Sequence, residues 1–273
     1  MKTILVATDF SLSAINAANY AADMALAINA DMLLLHVYQI PVSFSEIPVT
    51  MTEEYITEDT EKELNKLKEQ LIRKSGGKLN IQTEIRMGLY FYQALKTVCE
   101  YVKPYIVVMG SQGTTGSEHM FFGSHTVYAM KYLLWPLITV PPGSTFSSIK
   151  KIGLASDFDK VVSTTLFDDI KTLVNDFNAE LHILNTAKKQ VFNPDAEFES
   201  DLLEVMLVPL QPGYHFITNE NVHEGIMDFA EKNHIDLLIV LPRHYGLLDN
   251  LFHKNHTKQL VLHCHVPVMA LHQ

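Results

Sequence analysis

The chain is written twice, and that constrains its fold more than any other feature. Lys2-Thr3-Ile4-Leu5-Val6-Ala7-Thr8-Asp9-Phe10 is echoed by Lys151-Ile152-Gly153-Leu154-Ala155-Ser156-Asp157-Phe158. Each is an apolar run that ends in a hydroxyl residue and Asp-Phe. A helical stretch follows each, over about 12–29 and 162–177. Next come Ala30-Asp31-Met32-Leu33-Leu34-Leu35-His36-Val37 and Ala179-Glu180-Leu181-His182-Ile183-Leu184-Asn185. Toward the end of each half, Pro104–Met109 pairs with Ile235–Leu241, and Trp135–Val140 with His265–Leu271. A repeat of this length implies two tandem domains. The Pro/Gly/Ser stretch 141–149 reads as the junction, giving domains over 1–143 and 149–273.

Within the first half, strands are expected near 3–8, 31–37, 80–86, 105–109 and 137–140. Helices are expected near 12–29, 55–75, 90–102 and 123–133. Apolar strands alternating with helices imply an α/β fold whose parallel sheet is covered on both faces. Leu64, Leu67 and Leu71 stand at helical spacing in a charged segment, which makes 53–74 an amphipathic surface helix. Residues 40–52 are the least regular part and read as a loop.

Composition narrows the partners. Apolar residues form 47% of the 273, enough for a sizeable core, and the net charge of −10 disfavours nucleic acid and anionic membrane surfaces. No apolar run reaches membrane-span length. The start, Met1-Lys2-Thr3 followed by a strand, has no apolar leader segment. Cys99 and Cys264 lie far apart outside any C-x-x-C pair. Together these features lead to the expectation of a cytoplasmic protein.

The chemistry concentrates after the strand at 105–109. Gly110, Gly113, Gly123 and Ser124 form G-x2-G-x9-G-S, a glycine loop running into a helix. Glycines permit close backbone approach, and free N–H groups at a helix N-terminus attract anions. In an open parallel sheet, ligands bind beyond the carboxyl ends of the strands where strand order reverses. A unit ordered 3-2-1-4-5 reverses between its first and fourth strands, so Asp9 and Gly110 would share one crevice. A nucleotide fits both features, with phosphates on the glycine loop and Asp9 accepting from ribose or base. The alternative role for Asp9 is a helix N-cap. The P-loop and the G-x-G-x-x-G signatures are absent.

These residues resemble the universal stress protein family, over both halves. The resemblance rests on Ala7-Thr8-Asp9-Phe10-Ser11, His36-Val37, Gly88, and Met109-Gly110-x2-Gly113-x9-Gly123-Ser124. It implies two tandem Rossmann-like domains of the adenine nucleotide alpha hydrolase-like type, each a five-stranded parallel sheet of order 3-2-1-4-5. Nucleotide-binding members hold ATP with this motif, with Mg2+ as a companion ion. By that resemblance Asp9 and Val37 contact adenine and ribose, and Ala7 and Thr8 line the base pocket. Met109, Gly110, Gly113, Gly123 and Ser124 contact ribose and phosphates. His125 departs from the small apolar residue often found there. Single-domain relatives often pair through their fifth strand. The edges near 137–140 and 266–271 are therefore expected to form an intrachain pseudo-dimer, with a further homodimer open.

The second half has lost the loop. After Val240-Leu241 the chain reads Pro242-Arg243-His244-Tyr245-Gly246, and Leu241 or Pro242 replaces the first glycine. One ATP per chain, in the first domain, is the expectation. Histidines gather here at 244, 253, 256, 263, 265 and 272, which leaves a metal or small-anion site as an alternative. No general base is paired with a nucleophile. Slow ATP hydrolysis or autophosphorylation is the most that is expected, and a non-catalytic interaction module is the other reading.

Overall fold

The computed structural model describes residues 1–39, 53–111, 124–156, 164–185, 205–219, 221–242 and 264–272, with side chains omitted at 39, 53–57, 124, 156, 164 and 165. The chain forms two compact units, Met1–Phe146 and Ser147–Gln273.

In the first unit the order is β1 (Thr3–Ala7), α1 (Leu12–Ile28), β2 (Asp31–Gln39), α2 (Glu53–Lys74), β3 (Ile81–Gly88), α3 (Phe91–Val102), β4 (Ile106–Gly110), α4 (Ser124–Tyr132) and β5 (Leu137–Val140). All pairings are parallel, in the order β3-β2-β1-β4-β5. The central strands β1 and β4 are apolar throughout their cores because both faces are covered, and Ile4, Leu5, Val6, Val107 and Val108 are fully buried. Helix α1 meets the sheet through alanines, with Ala14, Ala17, Ala18, Ala21, Ala22 and Ala25 buried. Such small side chains let the helix lie close to the strands. On α2, Leu64, Leu67 and Leu71 are buried while the charged residues between them face out.

The second unit runs β6 (Lys151–Ser156), α5 (Thr164–Phe177), β7 (Glu180–Asn185), β8 (Gly213–Phe216), α6 (Val222–Lys232), β9 (Leu237–Val240) and β10 (Val268–Ala270). Its parallel strands lie in the order β10-β9-β6-β7-β8. Counted within the unit, that is the same 3-2-1-4-5 arrangement. The fold is therefore α/β with Rossmann-like parallel sheets and flanking helices, repeated in tandem. Strand β8 and helix α6 are additions to the sequence reading. Gly-Tyr-His-Phe is too short and too mixed to announce a strand, and it becomes one only by pairing with β7. The loop expected at 40–52 lies outside the described residues.

Candidate functional site

The ends of β1 and β4 lie side by side, since Val6 is registered with Val108. This is the point where strand order reverses in the first unit. Ala7 closes β1 and is buried, as is Thr8, whose N–H donates to the Leu35 carbonyl at 2.9 Å. Asp9 follows and is exposed. Met109 and Gly110 end β4, both buried, and Ser124 opens α4. Val37 is buried on β2, registered with Arg86 of β3. Gly113 and Gly123 lie outside the described residues.

The turn after β1 differs from a simple Asp cap. Ser11 is the N-cap of α1, accepting from the Ala14 N–H at 3.1 Å. Asp9 instead accepts from the Ser11 N–H at 3.1 Å through Oδ1, an Asx-type turn. Phe10 takes a left-handed conformation (φ 61°), which is rare for a bulky residue, and its N–H donates to the Thr8 hydroxyl at 3.1 Å. Its ring stacks on His36, with centroids 4.7 Å apart. The His36 Nδ1 lies 2.8 Å from the Thr8 carbonyl, which can only accept, so Nδ1 carries the proton.

Gly110 has a structural reason of its own. It does not adopt a positive φ, yet a Cβ there would stand 2.6 Å from Ser13 Oγ and 2.9 Å from the Ser13 carbonyl. The glycine is required because α1 presses on the end of β4. This packing requirement holds whether or not a ligand is bound. The Thr126 hydroxyl of α4 donates to the Gly110 carbonyl at 3.1 Å, both groups being buried. This bond ties the first turn of α4 to the end of β4 across the span of the glycine loop. Helix α4 is held further by its aromatic face. The Tyr92 hydroxyl donates to the Tyr132 carbonyl at 2.7 Å, and Tyr92 packs edge-on against Tyr128. Ser13, Thr126 and Tyr92 carry no motif signal, and their roles arise from packing.

Two histidines face this region. Burial lowers the pKa of His36, opposed by its bond to Thr8 and by the charge of Asp9. The His125 ring lies against Phe91, with centroids 4.9 Å apart, and the residue is exposed. Its partial burial lowers its pKa too, again opposed by Asp9. Asp9 thus sits within electrostatic reach of both rings, between the end of β1 and the first turn of α4.

In the second unit, registers align Leu154 with Ile239 and Ala155 with Val240. Leu241 therefore holds the place of Gly110, and it is buried, as is Pro242. A leucine there brings a side chain to the strand end where the first unit has none. Asp157, His244, His253, His256 and His263 lie outside the described residues. His265 is exposed and His272 half-buried. Among the described residues, no group of three or more His, Cys, Asp or Glu is placed to hold a metal, and no helix is long and apolar enough to cross a membrane.

The model of the Universal stress protein family matches residues 1–141 and 212–272. No curated protein matches the chain significantly. Among solved structures, the chain is similar to a universal stress protein from Archaeoglobus fulgidus DSM 4304, at 19% identity and a TM-score of 0.73, covering 99% of this chain and 98% of that one. It is also similar to a functionally unknown protein from Pseudomonas aeruginosa PAO1, at 13% identity and a TM-score of 0.65, covering 100% and 92%. Those likenesses extend over both units and agree with the tandem α/β fold. The family match covers well over half of the residues, including every strand and helix of the first unit, and on that ground the chain belongs to the universal stress protein family.

Proposed function

We propose that the first unit binds an adenine nucleotide, ATP, in the crevice between β1 and β4, and that the protein serves a stress-response role through binding rather than catalysis. The observation that carries this reading is the meeting of Asp9, Gly110 and the N-terminus of α4 at the strand-order reversal. The residues present fit the group. Ala7 is small, Val37 offers an apolar wall, and Asp9 is an exposed acceptor for ribose hydroxyls or the adenine amino group. Backbone N–H groups at Ser124 and along the loop with Gly113 and Gly123 supply phosphate donors. Thr8 and Met109 complete the lining at the strand ends. Mg2+ would arrive on the phosphates of ATP, since the described residues gather no metal-ligating group of three.

The second unit carries Leu241 and Pro242 where close backbone approach is needed, which supports a single nucleotide per chain. The buried, unpaired Cys99 and Cys264 suit a reducing cytoplasm. Denaturing the purified protein and identifying the released nucleotide tests the reading, together with an equilibrium titration using a labelled ATP analogue. The expected result is one ATP-class nucleotide per chain. Two equivalent sites would overturn the asymmetry. An empty protein that fails to take up ATP would favour an interaction module without a nucleotide.

A further inference from the structure

Strands β7 and β8 bring together two histidines that stand 33 residues apart in sequence. His182 is registered with Gly213 and Leu184 with His215, so His182 and His215 share one face of the second unit's sheet. The His182 Nδ1 and the His215 Nε2 lie 3.0 Å apart, within hydrogen-bond distance, and the rings stack at 5.3 Å. Gly213 lies beside both nitrogens. A Cβ added to it would stand 3.2 Å from His215 Nε2 and 3.4 Å from His182 Nδ1. The far nitrogen of His182, Nε2, is buried without a hydrogen-bond partner and faces the Glu180 carboxylate at 3.6 Å. Phe229 of α6 closes over His215, at 4.6 Å between ring centroids.

We infer that His182 and His215 form a two-imidazole site for a divalent transition metal of the Zn2+ class, opened by Gly213 and oriented by Glu180. Two metal–nitrogen bonds of about 2.0–2.1 Å hold their nitrogens about 2.9 Å apart at a right angle and about 3.3 Å apart at a tetrahedral one. The observed 3.0 Å falls between them. Histidine ligands commonly turn their second ring nitrogen toward a carboxylate, which sets the tautomer and strengthens the donor. Glu180 stands on that side of His182, 3.6 Å from Nε2, as the nearby carboxylate. Imidazole pairs suit Zn2+, Ni2+ and Cu2+ rather than the oxygen-seeking Mg2+ or Ca2+. The protein supplies two donors, and water or a small anion fills the remaining positions. His182 and His215 belong neither to the C-terminal run of histidines nor to the residues placed at the ends of β1 and β4.

The test is a competition titration of the full chain with Zn2+ against a chromophoric chelator. The chain has 13 histidines, so the readout is a difference. Wild-type protein is expected to bind one Zn2+ more than the His182→Gln/His215→Gln double variant. Gly213→Ala keeps both imidazoles and fills the space beside them, and it is expected to weaken this site at least tenfold. Circular dichroism checks that each variant folds. The imidazole resonances of His182 and His215 should shift on adding Zn2+, an outcome that needs no variant. Equal stoichiometry in wild type and double variant, or imidazole resonances that ignore Zn2+, would mean that the two rings only share a proton, and the inference would fall.

Discussion

Gly110 and Ser13 are packed so closely that no side chain fits between them, with an added Cβ 2.6 Å from Ser13 Oγ and 2.9 Å from its backbone. The first glycine of the motif is therefore a folding residue as well as part of a crevice. Gly110→Ala should push α1 away from β4 and lower stability by about 1–3 kcal/mol, the usual range for overpacking. A urea denaturation curve gives the answer. An unchanged midpoint would show that α1 yields without cost.

Gly113 and Gly123 should behave differently. Valine at either position places a branched Cβ where the backbone has to approach phosphate. Gly113→Val and Gly123→Val are expected to abolish ATP binding in calorimetry while leaving the unfolding midpoint within the range of surface substitutions, about 0.5 kcal/mol. Retained affinity in both variants would remove the glycine loop from the site.

Asp9 and Ser11 separate binding from capping. Ser11 caps α1, so Ser11→Ala should cost about 1 kcal/mol of stability with little change in nucleotide affinity. Asp9→Ala should do the reverse in the main, weakening ATP binding at least tenfold, or about 1.4 kcal/mol. The pair is read by thermal unfolding and by titration on the same preparations. If Ser11→Ala alone reduced affinity and Asp9→Ala did not, the assignment of Asp9 to the ligand would fail.

Stability should fall on mild acidification. Burial lowers the pKa of His36, His125 and His215. The folded chain therefore holds fewer protons on these rings than the unfolded chain does. Their contribution is fully present above the unfolded value of about 6.5 and is lost as pH drops through the lowered folded values. Unfolding free energy measured at pH 7.5 and at 5.5 should be smaller at 5.5. His36→Asn keeps a donor for the Thr8 carbonyl but cannot titrate, so it should narrow that difference. An identical pH dependence in wild type and variant would exclude His36 as a contributor.

The tandem fold was legible from residue patterns because its signals are local. Runs such as Ile4–Ala7 and Ile106–Met109 are apolar throughout, since both faces of a parallel strand are buried. Leu64, Leu67 and Leu71 mark a helix by spacing alone. The order Asp9, then Gly110 and Ser124, could be tied to one crevice because the strand order implied by the family resemblance has a known reversal. What stayed hidden depends on contacts between segments distant in sequence. Ser11 and Asp9 both suit a cap, and only the backbone path chose Ser11. The register of β9 against β6 decided that Leu241, rather than Pro242, stands where Gly110 does. Strand β8 exists by pairing with β7, and the same pairing brings His182 to His215.

The sequence by itself determined the strands and helices of the first unit, that the pattern occurs twice, and that the glycine motif survives in the first copy alone. Periodicity and glycine placement act within a few residues and can be read one segment at a time. The tertiary structure decided which side chains meet: Gly110 with Ser13, Thr126 with the Gly110 carbonyl, Phe10 with His36, and His182 with His215. Each meeting depends on strand register and on how closely a helix approaches the sheet, and both are set by packing across the whole unit rather than by local preference.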